Sequence, residues 1–149
     1  MDAKLESYVR AGEGMNLEFK RCGGKVERDV YETICSFANR QGGSILLGVL
    51  DDGTVSGVGP KAVASIERNI VNVPSMFNVA PALEFERLEG DGGKTVIRVW
   101  VPMGPALYSF KGTIYDRAAD VDVKVKTEAQ HAAMIIRKQS FYTEKTVYP

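Results

Sequence analysis

Three carboxylates near the front of the chain carry the most chemical information. Glu13 and Glu18 flank the start of an alternating run, Met15-Asn16-Leu17-Glu18-Phe19-Lys20, and Asp51 follows the apolar run Ile45-Leu46-Leu47-Gly48-Val49. Carboxylate oxygens gathered at one point hold magnesium or manganese, the ions that activate water for phosphodiester hydrolysis. Glu13 and Glu18 are an odd number of residues apart, so within one continuous strand they face opposite sides of a sheet. Gly12 and Gly14 relax that objection: a bend there folds Glu13 over the sheet edge to join Glu18 and Asp51. The plainer alternative is that Glu18 pairs with Lys20 or Arg21 and that Asp51-Asp52-Gly53 is a turn. Spacing alone leaves both open.

Basic residues form two groups. Lys20, Arg21, Lys25 and Arg28 surround the start of the first long helix, and Arg117, Lys124, Lys126, Arg137 and Lys138 lie toward the end of the chain. Tyr108, Phe110 and Tyr115 interleave with the second group, and rings beside cations on a sheet edge stack bases while the cations hold phosphates. Asp116, Asp120 and Asp122 dilute the same segment, so a mixed solvated surface fits it equally.

Other chemistries find less support. A phosphate loop at Gly92-Gly93-Lys94-Thr95 lacks its first glycine, since Leu88 stands there, and Gly53, Gly57 and Gly59 lack the strand-to-helix spacing of a dinucleotide fingerprint. A Ser or Cys nucleophile needs a histidine base, and the one histidine, His131, falls on an exposed helix face. Cys22, Cys35 and His131 fall short of the four ligands of a structural zinc site, and the cysteines read as buried free thiols of a reducing, cytoplasmic setting. With 19 basic and 19 acidic residues in 149, the net charge is zero. That argues against coating nucleic acid by bulk electrostatics and confines any such surface to a local patch. The longest apolar stretch, Ile45 to Leu50, is far below the roughly 20 residues of a membrane span, so no membrane partner is expected.

The elements that must position these groups follow from periodicity. Ala3–Ala11 reads as an amphipathic helix ended by Gly12, and residues 15–20 as a strand broken by Cys22-Gly23-Gly24. Val26, Val30, Ile34, Phe37 and Ala38 recur at helical steps, predicting a helix over 25–39 that stops at Gly42-Gly43. Residues 44–49 lack polar alternation, as in a strand covered on both faces. A further helix carries Val63, Ile66, Ile70 and Val73. Hairpins follow at 83–88 with 96–101 and at 107–110 with 113–115. Thr127 caps a last helix to about Ser140, with Ala129, Ala132, Ala133 and Ile136 expected inward. The sum is a single-domain α/β (α+β) sandwich, a mixed sheet flanked by helices with β-hairpins. A right-handed crossover makes the first two strands parallel and puts Lys20 and Asp51 on one sheet edge.

Four segments taken together are specific: Glu13-Gly14-Met15-Asn16-Leu17-Glu18-Phe19-Lys20; Ile34-Cys35-Ser36-Phe37-Ala38-Asn39 with Gly42-Gly43; Leu47-Gly48-Val49-Leu50-Asp51-Asp52-Gly53; and Gly112-Thr113-Ile114-Tyr115-Asp116-Arg117. This ordered set resembles the Schlafen AlbA-type domain, also described as a divergent AAA domain. The resemblance implies one domain over 1–149, a DNA-binding module of bacterial transcriptional regulators and helicase-like proteins, here the N-terminal part of a longer regulator or a stand-alone unit. No ATP site is carried over, because no Walker A pattern is present.

Animal members of the family cut transfer and ribosomal RNA with three acidic residues and a metal. The matching positions are Glu13, Glu18 and Asp51, with magnesium or manganese as the implied ion. Ala119 departs from the family's Arg-x-Gly pattern. The animal proteins build a clamp from two copies of the lobe, which a single copy achieves only as a homodimer. Three expectations result. In the first, a nucleic-acid-binding module needs no cofactor; Lys20, Arg21, Arg117, Lys124 and Lys126 contact phosphate and Tyr115 stacks. In the second, a metal-dependent ribonuclease uses the three acids, with Lys20 stabilising the phosphorane. The third is a protein-interaction domain.

Overall fold

A computed structural model describes residues 1–147, the side chains of Pro74 and residues 142–147 excepted. Helix α1 (Ala3–Ala11) starts where Asp2 accepts the Lys4 amide at 2.7 Å. It ends at Gly12, whose N–H returns to the Tyr8 carbonyl. Strand β1 (Leu17–Lys20) runs parallel to β2 (Gly43–Leu47), as the crossover through α2 (Arg28–Asn39) requires. The helix begins three residues later than its periodicity suggested. Helix α3 (Val63–Val71) precedes the hairpin of β3 (Glu84–Glu89) and β4 (Thr95–Val101), which completes a mixed sheet of order β1-β2-β4-β3.

The run without polar alternation explains the layering. Ile45 and Leu47 pack with Ile34, Phe37, Ile66, Ile97 and Val99 under α2 and α3. Leu46 points the other way, to Leu5 of α1, Phe19, Leu88 and Val96. Each such side chain, fully buried, contributes about 1.5–3 kcal/mol. The turn out of α2 depends on Gly42 at φ +78°, whose N–H donates to the Phe37 carbonyl at 2.8 Å. A Cβ there would lie 2.7 Å from the Val101 carbonyl oxygen.

The second half departs from the single sheet expected. Strands β5 (Ser109–Phe110), β6 (Thr113–Ala118) and β7 (Val121–Lys124) form a separate antiparallel sheet, and β7 lies in the segment read only as mixed charge. This sheet leans on α2 through Tyr108, Phe110 and Tyr115.

Helix α4 (Glu128–Val147) is capped as expected, Thr127 Oγ accepting the Gln130 amide at 3.1 Å. Its inward face is not the expected one. Ala129, Ala132, Ala133 and Ile136 are exposed, Ile136 at 62%, whereas Met134 and Lys138 are buried. Lys138 donates to the carbonyls of Ala38, Gly104 and Ala106, and Arg137 donates to the Asn39 carbonyl at 3.1 Å and pairs with Asp116 at 3.0 Å. The two cations thus meet the electronegative end of α2, which fixes the rotation of α4 more firmly than its small apolar residues can. Among the described residues no helix is long and apolar enough to cross a membrane.

Candidate functional site

The β1 edge and the β6–β7 hairpin flank a cleft of about 720 Å³. Glu13, Glu18 and Asp51 all line it, with Lys20, Arg21 and Lys25. The expected bend is real: the Gly14 amide turns back to the Leu17 carbonyl at 2.9 Å, and Glu13 Oε2 accepts the Phe19 amide at 3.1 Å. Glu13 therefore lies over the edge of β1 beside Glu18.

A buried carboxyl resists ionising, the more so with a second carboxyl beside it. Burial first, then a hydrogen bond shared with Glu13, pushes Glu18 up to about 8, against the opposing pull of Lys20 and Arg117. Glu18 Oε1 lies 2.9 Å from Arg117 and Oε2 4.0 Å from Lys20. Lys20 is only 15% exposed and bridges on to Asp29 at 3.0 Å. Burial draws its proton off, yet the Asp29 hydrogen bond and the Glu18 charge hold it above its ordinary value.

The remaining expected contacts divide by exposure. Arg21, Lys124 and Lys126 stay at the surface. Tyr115 and Arg117 do not, which corrects the roles expected of them on base and phosphate. Alternation along β6 turns both toward α2 while Asp116 faces Arg137 and Arg40 on the other side. Tyr115 is 3% exposed and donates its hydroxyl to Glu32 at 3.3 Å. The Arg117 side chain is 0% exposed; it pairs with Glu18 and Asp122, each at 2.9 Å, and lies 4.8 Å from the Phe37 ring centre.

Asp122 belongs to this arrangement and was read only as a diluting charge. Its carboxylate also accepts the hydroxyls of Thr33 and Ser36, each at 2.5 Å. The signal for it was a pair of hydroxyls three residues apart on the buried face of α2. Cys22 and Cys35 are buried free thiols, as expected, and burial pushes Cys35 up to about 12, away from nucleophilic use. His131 is exposed on α4.

The donor set suits a hard divalent ion in kind, being all carboxylate oxygen. Among the described residues, however, no three metal-ligating side chains close on one point. Asp51 lines the same cleft without joining the pair, so the expected three-carboxylate centre reduces to Glu13 and Glu18. Two carboxylates fit a magnesium-type ion that keeps several waters and takes substrate phosphates as its other ligands.

The family model for "Schlafen, AlbA_2" matches residues 13–126, which span the cleft and both sheets. The chain belongs to this family. The Schlafen AlbA_2 fold is shared with two solved structures. One is the N-terminal domain of a Nitrosomonas europaea protein whose name relates it to the ATP-dependent DNA helicase RecG. It matches at 28% identity and a TM-score of 0.55, over 84% of this chain and 93% of that domain. The DIP2311 protein of Corynebacterium diphtheriae shares the fold at 18% identity and a TM-score of 0.57, over 83% of this chain. The Schlafen AlbA_2 chain spans only 26% of that protein's length.

Proposed function

We propose that this Schlafen AlbA_2 chain is a nucleic-acid-binding module, the DNA-binding part of a bacterial transcriptional-regulator-like protein of the cytoplasm. The observation that carries the reading is the likeness to the helicase-related Nitrosomonas domain across nearly all of that domain. Eight carboxylates and three cations line the cleft, so a phosphate backbone runs along its rim, not its floor. Arg21 and Lys25 are the contacts there, with Lys20 behind them and Lys124 and Lys126 as exposed cations on and after β7. Fluorescence anisotropy with labelled duplex DNA and tRNA at about 50 mM salt tests this, since counterion release makes such binding strongest at low salt. Binding that weakens steeply with salt supports it, and no binding to either probe overturns it.

The Glu13–Glu18 pair favours a second reading, a divalent-metal-dependent ribonuclease. Glu13 and Glu18 would hold magnesium or manganese, with Asp51 nearby, and the ion would supply Lewis-acid polarisation of a phosphoryl oxygen. The ammonium of Lys20, fixed between Glu18 and Asp29, would neutralise charge gathering on the phosphorus oxygens. Labelled tRNA incubated with and without manganese separates the readings on one gel. Metal-dependent cleavage lost in Glu18→Gln makes the chain a nuclease; a shifted band without cleavage leaves the binding module.

A further inference from the structure

We propose that Arg117 is the positioning residue of the cleft, and that Asp122 aims it. The inference rests on the reading in which Glu13 and Glu18 hold a divalent ion. Arg117 stands on β6 and Glu18 on β1, strands of two sheets that share no ladder. The guanidinium crosses between them: one terminal nitrogen lies 2.9 Å from Glu18 Oε1 and donates to the Gly14 carbonyl at 2.8 Å, and the other reaches Asp122 at 2.9 Å. One side chain therefore holds both the carboxylate of Glu18 and the backbone immediately after Glu13. The same nitrogen thus fixes the Glu18 carboxylate and the bend that brings Glu13, held by the Phe19 amide, beside it.

The fork is itself fixed. Asp122 takes it from behind while accepting the Thr33 and Ser36 hydroxyls from α2, and the Phe37 ring lies against its face. Stability gives little reason for this construction, because a buried ion pair is often no better than apolar residues of the same volume. The arginine also leaves its Nε buried without a partner, a cost that an apolar side chain would not incur. Direction is what the charges provide: the planar guanidinium holds its two terminal nitrogens at a fixed angle, one on Glu18 and one on Asp122, so the anchored arm sets where the other points in a way no apolar contact can. Arg117 thus acts on an ion, and on any phosphodiester the ion meets, only through Glu18 and the Glu13 bend.

Manganese binding by the full chain, read from the free-ion signal in electron paramagnetic resonance, tests the assignment beside a thermal melt of each variant. Asp122→Asn leaves Arg117 and Glu18 in place but slackens the fork, and Arg117→Lys keeps the charge while removing the second arm. Each is expected to weaken manganese binding about tenfold or more, as loss of a group orienting a metal ligand does. The double variant Thr33→Val, Ser36→Ala, farther from the ion, is expected to weaken it about threefold, and it provides the answer should either charge variant fail to fold. A merely structural role predicts lower melting temperatures with unchanged manganese affinity in the folded protein, and that result overturns the inference while sparing the metal reading. A wild-type chain that binds no manganese overturns both.

Discussion

Asn39, the last residue of α2, holds the backbone of Tyr108 as a neighbouring strand would. Its Oδ1 accepts the Tyr108 amide at 2.8 Å and its Nδ2 donates to the Tyr108 carbonyl at 2.8 Å, with a second bond to the Tyr115 carbonyl at 2.8 Å. All of this is buried. Asn39→Ala is expected to destabilise the protein by about 3 kcal/mol, because it orphans buried backbone groups as well as losing the bonds. Urea denaturation reads the loss; a change under about 1 kcal/mol would mean that water replaces the amide.

Stability should fall as pH rises from about 4.5 to about 8. Glu18 titrates near 8 in the folded chain against about 4.5 when unfolded, so the folded state keeps a proton that the unfolded state has released. Its contribution is fully present below about pH 4.5 and declines up to about pH 8. Glu13→Gln removes the neighbouring charge and should flatten this decline. Denaturation midpoints at pH 5, 6.5 and 8 compare the two proteins, and equal slopes would show that the pair is uncoupled.

Ala119, in the turn between β6 and β7, sits at φ +54°. A side chain in this left-handed region carries strain of about 1–2 kcal/mol that glycine does not, partly offset by glycine's greater freedom when unfolded. Ala119→Gly is therefore expected to raise stability by about 0.5–1 kcal/mol, seen as a higher melting temperature. Lower stability would show that the methyl group makes a contact outweighing the strain.

Removing Lys138 should loosen α4 before anything else. Burial pushes this amine down to about 8, and it donates to three carbonyls. Lys138→Ala leaves those carbonyls short of a donor at a cost of about 1–3 kcal/mol. Hydrogen exchange should show faster exchange within α4 and unchanged rates in β2 and β4; a uniform change would mean that the helix is not a separable unit.

If the cleft rim carries phosphate, Arg21→Ala with Lys25→Ala should weaken DNA binding and reduce its salt dependence by about two phosphate contacts. Anisotropy titrations across a salt series measure the slope. A slope equal to that of the unaltered protein would move the contact surface elsewhere.

Patterns confined to one element were readable in the sequence. The ends of α1, the two-faced burial of β2, the parallel pairing of β1 with β2 and the β3–β4 hairpin all follow from period and turn residues. The bend that carries Glu13 to Glu18 followed from two glycines. What could not be read depends on partners distant in sequence. Arg117 looks like a solvated cation until Glu18, from a different sheet, and Asp122 neutralise it. Tyr115 shares its fate because it lies two residues away on the same strand. The α4 face was misjudged for a related reason: its buried positions include a lysine, drawn inward by carbonyls at the end of another helix.

Helix α2 backs both sheets, which share no strand pairing with each other. Neither sheet can close its apolar face while that helix is absent, so the small sheet has no folded life of its own. The chain should unfold in one cooperative step, with the slowest-exchanging amides shared by α2, β2 and β6 rather than confined to the larger sheet. In folding terms α2 is the keystone, and the lobe flanking the cleft persists only as long as the whole molecule does.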